Sequence, residues 1–169
     1  MDMSIDYVPT LSFRHQRSAE KEVPMLDKMK ALVREKDTCV LATVSDNRPH
    51  CSLMAYATNT EGTEIYMVTH KKTKKYRNLT ENPWVSLLID TRDRDMASQR
   101  LATKALTVTG VCETVQARER KEKIRANLLK RHPHLEVFAA DPNAGVLLIK
   151  IESFLLLDGP TEAHFESIG

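Results

Sequence analysis

Ile65-Tyr66-Met67-Val68-Thr69-His70-Lys71-Lys72-Thr73-Lys74-Lys75-Tyr76-Arg77 joins an apolar run to five basic side chains within seven residues. Ile65–Val68 reads as a strand, Thr73 suits a helix N-cap, and Lys74–Glu81 follows as a short helix stopped by Asn82-Pro83. Lysines in a first helical turn oppose the macrodipole by about 0.3–1 kcal/mol each, a cost that a bound anion reverses at Lys74 and Lys75. Free backbone N–H groups, a threonine hydroxyl and ammonium groups converge here, which is the donor set a phosphate needs. The plain alternative is a solvated basic helix face.

Upstream, Pro24 opens an amphipathic helix in which Met25, Leu26, Met29, Leu32 and Val33 recur at helical spacing until Lys36-Asp37. Thr38–Val44 reads as a strand, Ser45-Asp46-Asn47-Arg48-Pro49 as a turn, His50–Thr58 as a second strand and Asn59–Gly62 as a second turn. Downstream come a strand Trp84–Asp90, a polar loop Thr91–Ala102 and a long strand Lys104–Val115. A charged helix Gln116–Arg131, barred from continuing by Pro133, precedes a sixth strand Gly145–Leu157. Six strands joined mainly by short turns, with helices inserted rather than strictly alternating, predict a mainly β fold with helices (α+β) and an antiparallel barrel. Residues 1–24 read as an arm, 25–158 as the one domain and 159–169 as a C-terminal tail. Runs such as Val85–Ile89 are apolar on both alternating sets, so the outside of the barrel needs cover from helices or a second copy. A homodimer is the expectation.

Composition narrows the function. With 25 basic against 23 acidic residues and a net charge of +2, the lysine cluster stands out from a neutral background, which favours a small anionic ligand over nucleic acid or membrane. Cys39, Cys51 and Cys112 lie singly in strand-like runs and show no CxxC spacing, which argues against a zinc site or disulfide framework and suits a reducing cytoplasm. The opening Met1–Asp6 is acidic, without the apolar core of a signal sequence, and no stretch reaches the roughly 18 apolar residues of a membrane span. The expectation is a soluble cytoplasmic protein.

Five glycines, at 62, 110, 145, 159 and 169, leave no G-x-G-x-x-G and no Walker loop. His50 and Cys51 are strand neighbours that point to opposite faces, so this imidazole does not activate this thiol. His132-Pro133-His134 has no third ligand at metal spacing and reads as a helix stop, so no metal site is assigned. Trp84 reads as a core or interface residue. Tyr56, His50 and His70 are acid–base candidates by location alone, and the catalytic residues stay unassigned.

The order of these pieces resembles the FMN-binding split-barrel family related to pyridoxamine 5'-phosphate oxidase. The likeness lies in strand Thr38–Val44, Arg48-Pro49-His50 leading into Cys51–Tyr56, strand Ile65–Thr69, Thr69-x-x-x-Thr73-Lys74-Lys75, and Asn78-Leu79-x-x-Asn82-Pro83. Leu106-Thr107-Val108-Thr109-Gly110 is similar to that family's V-x-V-x-G strand. The resemblance implies a six-stranded split barrel over residues 25–158, a homodimer with cofactor sites at its interface, and FMN as cofactor. It makes Thr69, Thr73, Lys74 and Lys75 the phosphate ligands and has Ser52, Leu53 and Met54 line the flavin, mostly through the backbone. Two departures argue against the oxidase reaction itself. Lys104-Ala105 stands where the oxidase has Arg-Gln, and no arginine follows Arg131, so the oxidase's arginine-bearing C-terminal substrate grip is missing. The implied function is flavin-dependent redox chemistry on a small molecule. Its alternatives are a flavin carrier without turnover, the same fold holding deazaflavin or haem, and a small-barrel nucleic-acid binder.

Overall fold

The computed structural model describes residues 23–92 and 103–168. The arm up to Lys21-Glu22 and most of the Thr91–Ala102 loop lie outside the described residues.

Helix α1, Met25–Glu35, buries Met29, Leu32 and Val33 and carries Asp27 in its first turn, where a carboxylate complements the dipole. Its C-terminal carbonyls are satisfied from a distance in sequence: Arg131 donates to the carbonyls of Arg34, Glu35 and Lys36 at 2.7–2.8 Å.

Strands β1, Thr38–Ser45, and β2, Arg48–Ala55, pair in antiparallel register from Thr38↔Ala55 to Ser45↔Arg48. The five-residue turn expected from the sequence is a two-residue one. Asp46 and Asn47 take φ of 51° and 57°, the left-handed pair that matches hairpin twist and that Asp and Asn tolerate. Pro49 sits inside β2 without disrupting the sheet, because β2 is an edge strand. The expected second strand divides, leaving β3 as Ala57–Thr58. Strand β4, Glu64–His70, leads into helix α2, Lys74–Glu81, and then β5, Trp84–Asp90, and β6, Lys104–Thr114.

Helix α3, Arg118–Arg131, a 3-10 turn at Pro133–Leu135, a short α4, Glu136–Ala140, and β7, Ala144–Asp158, follow. Glu162–Ser167, read from sequence as tail, form β8 against the second half of β7. The eight strands among the described residues, against six expected, form one antiparallel sheet ordered β2-β1-β5-β6-β7-β4-β3, with β8 on β7. The sheet curls around a core of Met29, Leu41, Met67, Leu87, Val108, Leu147 and Phe154, giving the split barrel. Gly110 sits at the register shift between β6 and β7, where a Cβ would stand 2.3 Å from the Lys150 carbonyl oxygen.

The opposite face of the sheet carries an apolar row that no element among the described residues covers. One row of partners crosses six strands: Leu53, Val40, Leu88, Thr107, Leu155 and Phe165. Leu53 is 78% exposed and Phe165 67%, and Trp84, on the same side of β5 as Leu88, is 56% exposed. The neighbouring row is Cys51, Ala42, Ser86, Thr109, Ser153 and Ser167.

Candidate functional site

The basic stretch occupies the turn from β4 into α2. Thr73 is the N-cap: its Oγ1 accepts the Tyr76 N–H at 3.4 Å and donates to the His70 carbonyl at 2.8 Å. With that proton committed, the 3.3 Å contact between Thr69 and Thr73 hydroxyls leaves Thr69 as its donor, the proton able to turn towards a ligand. Thr69 is buried. The first turn of α2 holds no acidic residue, so its dipole meets no negative charge from its own side chains.

Lys75 is half-buried, and burial pushes its pKa down. No carboxylate pairs with it among the described residues. Lys74 is exposed and turns the other way: with Arg77, Asn78 and Glu81, at helical spacing, it faces Ser45, Asp46 and Arg48 across a cleft of about 270 Å³. Asn78, buried, donates to Thr43 Oγ1 at 3.0 Å and ties α2 to β1. Ser45 hydrogen-bonds Glu81. Thr69, Thr73 and the start of α2 therefore come together as read from the sequence, while Lys74 and Lys75 approach from two sides. Arg48 and Arg77, quoted in the motifs, are not among the site residues read from the sequence. The i, i+3 spacing of Lys74 and Arg77 was the available signal, but the arrival of Arg48 depends on the tight hairpin.

Ser52 and Met54 face the barrel side of β2, whereas Leu53 stands out on the open face. Their side chains do not converge. What the three share is an edge strand, with β1 on one side and no strand partner on the other among the described residues. Leu53 also lines a pocket of about 400 Å³ with Thr38, Val40, Leu88 and Asp90. Arg48 in the cleft and Leu53 in this pocket are five residues apart, about 17 Å at the rise of a strand.

The acid–base candidates separate. Tyr56 is fully buried, its hydroxyl donates to the Val33 carbonyl at 2.9 Å, and its own carbonyl lies 2.9 Å from His132 Nε2. Desolvation raises its pKa far above the ordinary range. It locks α1 to α3 and cannot reach a ligand. His50 Nε2 lies 3.4 Å from Ser52 Oγ, and His70 Nε2 lies 3.4 Å from Asp141 Oδ2. Among the described residues no cluster of three His, Cys, Asp or Glu could hold a metal, and no helix is long and apolar enough to cross a membrane.

Comparison with known proteins agrees with this architecture. The sequence matches the family described as pyridoxamine 5'-phosphate oxidase over residues 25–158, and the chain belongs to that family. No curated protein matches the sequence. A haem-binding protein from Mycobacterium smegmatis superposes with a TM-score of 0.72 at 18% identity, over 83% of this chain and 56% of that one, so this chain spans about half of its length. The haem storage protein of Vibrio cholerae gives 0.66 at 21% identity, over 81% and 96% of the two chains. An FAD-binding protein from Mesorhizobium loti gives 0.64 at 17%, over 79% and 94%. At these identities the likeness establishes the fold, and the ligands named are those proteins' own.

Proposed function

We propose that this member of the pyridoxamine 5'-phosphate oxidase family holds FMN, with the phosphate in the Thr69–Lys75 cradle and the ring beside β2, and performs flavin-dependent redox chemistry on a small molecule. The carrying observation is Lys75, a half-buried ammonium with a depressed pKa and no carboxylate partner among the described residues, two positions past a helix N-cap. A desolvated cation costs free energy until an anion meets it. Thr69 Oγ1 and the N–H groups opening α2, which the Thr73 cap holds in place, complete a set of donors that fits a phosphate. A bound flavin supplies the hydride and electron transfer. The chain's own residues grip the phosphate, and the unpaired edge of β2 offers main-chain groups to a flat polar ring. The cleft at Arg48, shared with Lys74, lies on the same side of β2 as Ser52 and Met54, whereas the pocket at Leu53 lies on the open face.

The open face supports a homodimer, because a sheet face carrying Leu53, Leu88, Leu155, Leu157, Phe165 and Trp84 is larger than isolated exposed side chains explain. A second copy, with its own such face, is the occupant we propose. Pyridoxamine 5'-phosphate oxidation itself is not the activity we assign. Lys104 is already held by Asp158 at 2.6 Å, and β8 adds Glu162 and Glu166 rather than a cation.

Haem in place of FMN is the second reading, supported by the haem-binding relatives with this fold. The visible absorption spectrum of the purified protein separates the two, and titration with FMN followed by flavin fluorescence tests the first directly. Absence of saturable binding at micromolar FMN overturns it.

A further inference from the structure

The cradle is braced from below. β4 ends opposite the start of β7, with Thr69↔Gly145 and His70↔Ala144 in register, so the turn between α4 and β7 lies against it. Lys71 N–H donates to the Asn143 carbonyl at 2.9 Å, and Lys71 Nζ reaches the Pro142 carbonyl at 3.5 Å. Tyr76 of α2 packs on Gly145, where a Cβ would stand 2.6 Å from the ring. Asp141 organises this turn. Its Oδ1 accepts the Asn143 N–H at 2.7 Å, its carbonyl accepts the Ala144 N–H at 2.9 Å, and its Oδ2 lies 3.4 Å from His70 Nε2. The Asn143 N–H first, and His70 after it, hold the carboxyl below the usual carboxylate range. The chain of contacts continues upward: the His70 carbonyl accepts both the N–H and the hydroxyl of Thr73, at 3.0 and 2.8 Å, and Thr73 in turn touches Thr69.

An anionic carboxylate close to an anion site repels the ligand if it faces it. Here the carboxylate is spent on His70 and on a main-chain N–H of its own turn. We propose that Asp141 is a positioning residue that sets the cradle's selectivity for a phosphate ester, acting through His70 and Thr73 without touching the ligand. The inference rests on the cradle reading above. Phosphate binding depends on directional hydrogen bonds from Thr69 and the α2 N-terminus, which the Thr73 cap holds in place, so loosening His70 degrades it. Contacts along β2 are remote from the turn and are unaffected.

The test compares dissociation constants for FMN and for riboflavin, which lacks the phosphate, in the wild type, Asp141→Ala and Asp141→Asn. Loss of one well-placed hydrogen bond corresponds to about tenfold, so Asp141→Ala weakens FMN by that factor while riboflavin moves less than about twofold. Asp141→Asn keeps one acceptor, Oδ1, for the Asn143 N–H and places an NH2 donor where Oδ2 faced His70, so it recovers only part of the difference. Equal losses for both flavins, or unchanged FMN binding in Asp141→Ala, overturn the proposal. If Asp141→Ala does not fold, Asp141→Asn and His70→Gln decide: a mild FMN-selective loss in each supports the proposal, and parallel behaviour of the two flavins overturns it. A wild type that binds FMN no better than riboflavin sinks the cradle reading itself, a result distinct from failure of the Asp141 variants alone.

Discussion

Replacing Lys75 with Met removes one charge from α2 while keeping the length and apolar stem of the side chain. The two consequences have opposite signs. In the ligand-free protein the Lys75 ammonium is partly desolvated and no carboxylate among the described residues compensates it, so Lys75→Met leaves the melting temperature unchanged or raises it. In the complex the same ammonium makes a charge-assisted hydrogen bond, worth about 1.5–3 kcal/mol, so FMN binding weakens by roughly 10- to 150-fold. Riboflavin, which shares the ring and lacks the phosphate, changes by less than about twofold. The pH dependence adds an independent check. Because burial lowers the Lys75 pKa, the ammonium is lost at a lower pH than for an exposed lysine, and the phosphate-specific part of FMN affinity falls as pH rises through that depressed value. The difference between FMN and riboflavin isolates this decline, since titration of the ring is common to both, and Lys75→Met abolishes it. Fluorescence titration of both flavins and thermal melts of the apo proteins supply every number needed. Equal weakening of the two flavins, or a clearly destabilised apo variant, refutes the reasoning by showing that Lys75 serves the fold instead.

Gly145→Ala puts a methyl group 2.6 Å from the Tyr76 ring, which must retreat by about 1 Å to reach ordinary contact; urea unfolding is expected to show a loss of about 1–3 kcal/mol, with FMN weakened more than riboflavin because the first turn of α2 moves with Tyr76. Thiol labelling at mildly alkaline pH should modify Cys51 and spare Cys39 and Cys112, whose burial pushes both thiols up to about 12; Cys51 labelling slows with rising protein concentration as the open face pairs, and a monomer in sedimentation that retains full FMN occupancy rules out an interface-built site. FMN-loaded protein given pyridoxamine 5'-phosphate and oxygen is expected to form no appreciable pyridoxal 5'-phosphate, and turnover near the several per second of an ordinary enzyme–substrate pair would show a grip supplied elsewhere.

Local chemistry was legible in the sequence; meetings at a distance were not. Thr73 caps α2 and Lys74–Glu81 forms the helix because capping and helix termination are decided within a few residues. The apolar periodicity of α1 likewise survives as Met29, Leu32 and Val33 in the core. By contrast, the length of the β1–β2 turn hinged on two left-handed residues whose identity, Asp-Asn, also permits longer loops. Strand β8 was missed because Glu162–Ser167 lacks an apolar inner set: its only large apolar residue, Phe165, points to the open face, and its pairing is granted by the free edge of β7. Tyr56 was an acid–base candidate by its place after β2, and only the arrival of Val33 and His132 from two other elements buries it. Asp141 lies more than 60 residues from the cradle it braces, beyond the reach of any spacing rule.

The end of the chain bears on which chemistry the scaffold was turned to. Lys104 and Asp158 neutralise each other where β6 begins and β7 ends, so the site corresponding to the oxidase's Arg-Gln pair offers no free cation to a substrate. Beyond it the chain turns through Gly159, at φ 69°, and runs back as β8, placing Ala163 beside Leu157 and Phe165 beside Leu155. Each step lengthens the open apolar face by one strand, and none brings a positive charge to it. A segment that would have to present arginine to hold a second phosphate instead presents Phe165 outward and leaves its carboxylates, Glu162 and Glu166, exposed or half-buried. Among the described residues the anion grip we propose is at the start of α2, and a reaction partner sharing a flavin held there would have to be recognised without a phosphate of its own.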